Sequence, residues 1–233
     1  MPVQPGFHAN LPRRSFLAGI GALAVLQCST SLTSVARADT APAVAPVAPS
    51  APLATAFDFD WLTEDMRARA QSEAAPSAKV EGFFTDFTYD DYQAIQFNPQ
   101  RARWSDTDAT FRLHAFHLGW LFAEPVTMFE VENGAAQPIV FSTDDFLYYD
   151  RIKDKVPLHE PLPGVAGFRL NAPLNRADLY DEVVAFLGAS YFRALGRGNV
   201  YGLSTRGLAI NTGMGQPEEF PRFSQFWIEK PVP

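Results

Sequence analysis

Between Phe111 and Trp120 the chain reads Phe111-Arg112-Leu113-His114-Ala115-Phe116-His117-Leu118-Gly119-Trp120. Side chains there alternate with a period of two, the spacing that sends successive residues to opposite faces of a strand. Val126 to Val131 and Ile139 to Phe141 read as further strands, with Asn133-Gly134 between them as a hairpin turn signal. Phe146-Leu147-Tyr148-Tyr149 is a fourth candidate. Gly, Pro and Asn recur at short intervals through Pro163-Gly164, Gly196, Gly198 and Gly207, so long helices have little room. The pattern predicts a mainly β chain, built as a large antiparallel β-sandwich. No glycine-rich loop opens a helix in the dinucleotide- or phosphate-binding arrangement, and no internal repeat is visible.

Two short helices are expected ahead of these strands. Asp60 could cap one running through Leu62, Met66 and Ala70 and ending before Pro76. The other follows Thr88, with Tyr89, Tyr92 and Ile95 on one face. Residues 178–195 are open at this level. Asp178 to Leu187 suits a helix by propensity, whereas Gly188 to Arg193 reads as extended chain.

The N-terminus bears on compartment. Arg13-Arg14-Ser15-Phe16-Leu17 precedes the apolar run Ala18 to Leu26, and Ala36-Arg37-Ala38 is an A-x-A cleavage pattern. The run is about half the ~20 residues of a bilayer-spanning helix, which suits a signal peptide and no permanent membrane anchor. The paired arginines read as a twin-arginine address over residues 1–38, implying export to the periplasm. An ordinary secretory signal with two basic residues is the competing reading, since Pro12 and Ala18 depart from the usual surroundings of such a pair. Residues 39–56, rich in Ala and Pro, read as an extended linker. The folded domain is expected over 57–233.

Cys28 is the single cysteine. Gln27 ahead of it does not suit lipidation, so Cys28 is expected to leave with the signal. A mature chain without cysteine forms no disulfide and must rely on core burial. Loss of residues 1–38 removes Arg13, Arg14 and Arg37 and no acid, taking the formal net charge from −7 to −10. Nucleic acid is excluded as a partner by that balance, because phosphate binding needs clustered positive charge. A neutral ligand is compatible with it.

Few residues suggest catalysis. His114 and His117, three apart on a strand, point to opposite faces, so no shared metal is expected. The acid pairs Asp90-Asp91, Asp144-Asp145 and Glu218-Glu219 read as solvated surface rather than as a glycosidase dyad, which needs two carboxyls facing each other across a cleft. No nucleophile motif is present; Gly202-Leu203-Ser204-Thr205-Arg206-Gly207 carries its serine in the wrong place. No cofactor is implied.

The most informative residues run from Phe186 through Leu195 and from Tyr201 through Ile210. Aromatic residues and arginines alternate there with glycines and small residues. Small residues let the backbone approach a ligand, tyrosine offers a flat face and a hydroxyl, and arginine a planar donor fork. That mixture suits a carbohydrate. By residue type alone it suits better still core aromatics with arginines paired to surface acids.

Phe186-Leu187-Gly188-Ala189-Ser190-Tyr191-Phe192-Arg193-Ala194, Tyr201-Gly202-Leu203-Ser204, Arg206-Gly207-Leu208-Ala209-Ile210, Glu218-Glu219-Phe220-Pro221 and Phe226-Trp227 closely resemble the signature of the osmoregulated periplasmic glucan biosynthesis G/D family. Gly164 to Arg169, His117-Leu118-Gly119 and the Tyr92 to Phe97 segment ahead of Trp104 add to the likeness, which spans residues 57–233. Together with the paired arginines it is closer to the D type. The resemblance implies a galactose-mutarotase-like sandwich followed by a smaller immunoglobulin-like domain, the latter absent here. It implies a role in controlling or processing the β-1,2-linked glucose backbone, with β-glucan as ligand and an inner-membrane glucan synthase as a partner. A non-catalytic glucan-binding or scaffold role is the alternative. Some members resemble endo-β-1,2-glucanases whose catalytic acids lie beyond residue 233, so the chain is expected to be an N-terminal part and no catalytic residue is assigned in it. Tyr191, Arg193, Tyr201 and Arg206 are the expected glucan-binding residues. Asn211 stands where the family usually has Asp, which removes a charge.

Overall fold

A computed structural model of the chain describes residues 54–232 except Ala75, Ala78 and Ala189. The expected signal peptide and the linker up to residue 53 lie outside these residues. Ordered pairing begins slightly earlier than the expected domain start: β1 (Thr55–Ala56) already joins a sheet.

Helix α1 (Phe59–Ala70) is capped by Asp58, whose Oδ1 accepts from the Trp61 amide at 2.6 Å. The expected cap, Asp60, sits instead inside the first turn, where its charge still favours the helix N-terminus. None of the residues of α1 is buried. Its anchorage comes from rings: Trp61 stands edge-on to Phe57 and Trp227, and Trp227 stacks on Phe129 at 5.2 Å. Helix α2 (Tyr89–Gln93) carries a full capping box between Thr88 and Asp91. It ends sooner than expected, because Ile95 already belongs to β2 (Ile95–Phe97).

The strands follow as β3 (Arg112–Phe116), β4 (Thr127–Glu132), β5 (Ala135–Pro138), β6 (Phe146–Tyr148), β7 (Gly167–Ala172), β8 (Asp181–Leu187), β9 (Tyr191–Ala194), β10 (Thr205–Arg206) and β11 (Gln225–Glu229). Leu113 and Ala115 are buried on β3 and their neighbours less so, as alternation predicts. The strand is shorter than the sequence pattern, since His117 and Leu118 are both buried and the chain then turns. Asn133 and Gly134 both adopt positive φ and close the β4–β5 hairpin, the geometry that matches strand twist. The following strand is Ala135–Pro138; Ile139 to Phe141, expected as strand, lies just beyond it.

Asp181–Leu187 and Tyr191–Ala194, within the segment left open above, are strands. β8 pairs with both β7 and β9, and ladder bonds to two neighbours outweigh the helical propensity of Asp178 to Leu187. Two main sheets result, ordered β1-β5-β4-β11 and β10-β9-β8-β7-β3, with β2 and β6 pairing separately. The core lies between them. Leu113, Ala115 and Phe168 of the five-stranded sheet join Met128 of β4 in one cluster, against which Phe226 and Ile228 of β11 pack. The two packed sheets give the expected mainly β sandwich. One pairing departs from a purely antiparallel design: β11 runs parallel to β4. A parallel neighbour requires a long crossover, and here the crossover contains strands β5 to β10.

Candidate functional site

Register places the site. Cross-strand partners in the five-stranded sheet run Ala115–Phe168–Phe186–Phe192 in one row and His114–Arg169–Ala185–Arg193 in the next. The phenylalanine row faces the core, where Phe186 stacks on Phe168 and on Phe192 at 5.3 Å each. Successive residues alternate faces, so His114, Arg169 and Arg193 occupy the opposite, outer face. Tyr191 shares that face with Arg193, two residues on, and is paired across strands with Arg206 of β10.

The four expected residues come together on this face as two arginine–tyrosine pairs. The Arg206 guanidinium lies between two rings, 4.5 Å from Tyr191 and 3.5 Å from Phe220, and donates to the Tyr191 hydroxyl. The Arg193 guanidinium lies 5.0 Å from the Tyr201 ring, and the Tyr201 hydroxyl donates to the Glu182 carbonyl. Burial, with the nearby Glu182 charge adding to it, raises the Tyr201 pKa. Arg193 also pairs with the Glu182 carboxylate, Nη2 to Oε1 at 2.6 Å. A groove of about 500 Å³ opens beside the pairs, lined by Phe116, Leu121, Phe122, Leu187, Tyr191 and Arg193. Tyr201 and Arg206 are not among the residues that line it.

Glu182 and Arg169 are the residues that sequence reasoning missed. The Glu182 carboxylate accepts from Arg193 on one side and faces Arg169 Nη1 at 3.5 Å on the other. Arg169 in turn reaches His114 Nδ1 at 3.4 Å, and the His114 ring stacks on Phe97. Partial burial, helped by the Arg169 charge, lowers the His114 pKa to about 4, which keeps its imidazole neutral near pH 7. Glu182 could have been found only by choosing strand over helix for residues 178–195. Arg169 lay in plain view at the end of Gly164 to Arg169.

The histidines do not share a site. His117 is buried, its Nε2 2.9 Å from the Tyr148 hydroxyl and its Nδ1 against the Leu118 carbonyl. Among the described residues no three His, Cys, Asp or Glu side chains are grouped to hold a metal ion. Two acid pairs differ from expectation. Asp91 is buried, where it accepts from Thr88 and pairs with Arg151 at 2.9 Å. Asp145 is buried as well, pairing with Arg103 at 2.9 Å and accepting from the Ser142 amide. Both are structural caps rather than solvated surface, because each closes the first turn of a short helix.

Residues 57–233 match the family described as "Periplasmic glucan biosynthesis protein, MdoG". The chain belongs to this periplasmic glucan biosynthesis family. It is 51% identical to the glucans biosynthesis protein G of Cereibacter sphaeroides over 233 residues, covering 99% of this chain and 43% of that protein. Proteins of the same name from Rhodopseudomonas palustris strains CGA009 and BisA53 are 40% and 41% identical, each covering 95% of this chain and 41% of the relative. The chain thus spans less than half the length of these glucan biosynthesis relatives. They carry the G name, and the D type expected from the paired arginines is not supported. Among the described residues no helix is long and apolar enough to cross a membrane.

Proposed function

We propose that this chain is part of a periplasmic protein that holds the glucose backbone of a β-1,2-linked glucan on the outer face of the five-stranded sheet and so controls or processes that backbone. The observation that carries the reading is an open groove walled by Tyr191 and Arg193, which are paired respectively with Arg206 and Tyr201 from outside the lining. Apolar ring faces of glucose suit the tyrosine and phenylalanine walls, and its hydroxyls suit guanidinium donors. Membership of a glucan biosynthesis family supports the same ligand class. Glu182, the carboxylate that joins the group, is engaged by two arginines, which favours binding over bond cleavage on this face. A scaffold that presents the backbone to a membrane-bound synthase is therefore the second reading. Incubation of the full-length protein with β-1,2-glucan separates the two: shortened chains mean hydrolysis, intact bound chains mean a binder.

The two arginines should respond differently to removal. Among the described residues Arg206 has no carboxylate within 4.0 Å, whereas Arg193 shares Glu182. Arg206 lies outside the groove lining and acts by holding the Tyr191 hydroxyl and ring in its wall. Losing that charge-assisted bond, worth about 1.5–3 kcal/mol, in Arg206→Ala should weaken glucan binding by roughly tenfold or more with little change in melting temperature. Arg193→Ala should lower the melting temperature as well, because it leaves Glu182 with Arg169 alone. Calorimetric titration and thermal melts on both variants check this; unchanged affinity in Arg206→Ala would remove it from the site.

Export through the twin-arginine route belongs to the same proposal and rests on Arg13-Arg14. Replacing both with Lys should leave precursor in the cytoplasm, read by fractionation and immunoblot. Normal periplasmic accumulation of that variant would leave the ordinary secretory route.

A further inference from the structure

Glu182 reaches the outer face of the five-stranded sheet through an irregularity. It lies an even number of residues before Phe186, which stacks on Phe168 in the core, so strict alternation would turn Glu182 inward as well. The pairing of β7 with β8 breaks that pattern. Leu170 opposes Val184, but the next residue, Asn171, opposes Glu182, leaving Val183 unopposed on β7. One extra residue in a strand is a β-bulge, and it re-aims the side chains beyond it. The Glu182 side chain is thereby delivered between Arg169 and Arg193, with 11% of it exposed.

From there Glu182 holds Arg193 in two ways. Its Oε1 accepts from Arg193 Nε at 2.8 Å and lies 2.6 Å from Nη2, while its Oε2 faces Arg169. Its backbone carbonyl accepts from the Tyr201 hydroxyl, and the Tyr201 ring covers the Arg193 guanidinium at 5.0 Å. One edge and one face of the guanidinium are therefore taken. Among the described residues Arg193 Nη1 makes no hydrogen bond, and Arg193 is part of the groove lining. A guanidinium carries its donors in a rigid planar fork, so fixing one edge fixes the direction of the other.

We propose that Glu182 is the positioning residue of the groove, fixing Arg193 so that its Nη1 edge donates to neighbouring hydroxyl oxygens of a glucose unit. The assignment rests on the glucan-binding reading above and adds the residue that prepares Arg193 for the ligand. An arginine held in place before the sugar arrives loses little rotamer freedom on binding, whereas a free one loses much. The competing role is structural: Glu182 would merely balance the charges of Arg169 and Arg193 on the sheet face. The two roles differ in whether Glu182 matters to the ligand once Arg193 is gone.

Calorimetric titration of the full-length protein with β-1,2-glucan, run as a double-mutant cycle, decides between them. Glu182→Gln keeps the shape of the side chain without its charge and should bind roughly three- to tenfold more weakly. Arg193→Ala should bind roughly tenfold more weakly, and adding Glu182→Gln to it should weaken binding no further. Should Glu182→Gln fold poorly, Glu182→Asp keeps a charge between the two arginines, withdraws it by one methylene, and enters the same cycle with the same expectation. Unmodified affinity in the Glu182 variant, or an equal loss with and without Arg193, would overturn the positioning role. Weakened binding by Arg193→Ala alongside either result would leave the groove assignment standing. Unchanged affinity in Arg193→Ala, or no binding by the unmodified protein, would overturn both.

Discussion

Gly167→Ala is expected to leave little folded protein. Gly167 opens β7 opposite Leu187, and a methyl group built there would lie 2.0 Å from the Phe186 carbonyl oxygen and 3.0 Å from Leu187 Cα. Those are backbone atoms of β8, which cannot rotate aside as a side chain can. Ordinary overpacking costs about 1–3 kcal/mol; separating two central strands should exceed that. Domains are stable by only about 5–15 kcal/mol, so such a loss falls on most of the margin. The expected readings are a melting temperature lower by roughly 6–12 °C or more and poor soluble yield. Gly215→Ala is the control, since a methyl group there meets no heavy atom within 4 Å. A Gly167→Ala protein melting with the unmodified one would mean that β7 and β8 are not so closely joined. The site would then lose its basis too, because Arg169 and Glu182 meet across that same pairing.

Stability should fall steeply between about pH 6.5 and pH 4, and His117 should account for most of the fall. Burial among Phe83, Phe84, Phe87 and Phe146 lowers its pKa to about 4, opposed only in part by the Leu118 carbonyl. The imidazole is therefore neutral in the folded protein, while the unfolded chain binds a proton below about pH 6.5. Over that interval the unfolded state binds more protons, so stability is complete above the unfolded pKa and is lost as the pH falls towards the folded one. For a shift of this size the loss approaches about 3 kcal/mol. His114 is displaced in the same direction and adds a smaller part, being partly open to solvent. The depressed carboxylates Asp91 and Asp144 also weaken the fold in acid, at lower pH than the histidines. Urea unfolding at pH 7.5, 6, 5 and 4 measures the slope. His117→Gln keeps a group able to bond Tyr148 while removing the titration, and should flatten the curve by about one proton. An unchanged slope in that variant would assign the acid sensitivity elsewhere.

Much of the fold could be read from local chemistry. Alternation at Leu113 and Ala115, the positive φ demanded of Asn133-Gly134, and Thr88 ahead of a short acidic turn each act within a few residues. Each therefore appeared in the structure nearly where expected. Residues 178–195 could not be decided that way, because Asp178 to Leu187 carries helical propensity and only the ladders from β7 and β9 make it a strand. The parallel seat of β11 beside β4 was equally out of reach, since it joins segments separated by six intervening strands.

The site divides along the same line. Tyr191, Arg193, Tyr201 and Arg206 stood out by residue type and by family resemblance, which is a property of the sequence. Their partners were set by register: Arg206 against Tyr191, and Arg193 with Arg169 around Glu182. A shift of one residue would turn all of them to the other face. Asp91 and Asp145 show the converse, for acids that read as surface became buried caps once Arg151 and Arg103 arrived from distant segments to compensate their charge. Turn positions, caps, most element types and the chemistry on offer follow from near neighbours in the chain, β8 being the exception. Which charges meet, which aromatic rings stay open to solvent and where the groove runs came only with the three-dimensional packing, because burial and pairing depend on atoms far apart in the chain.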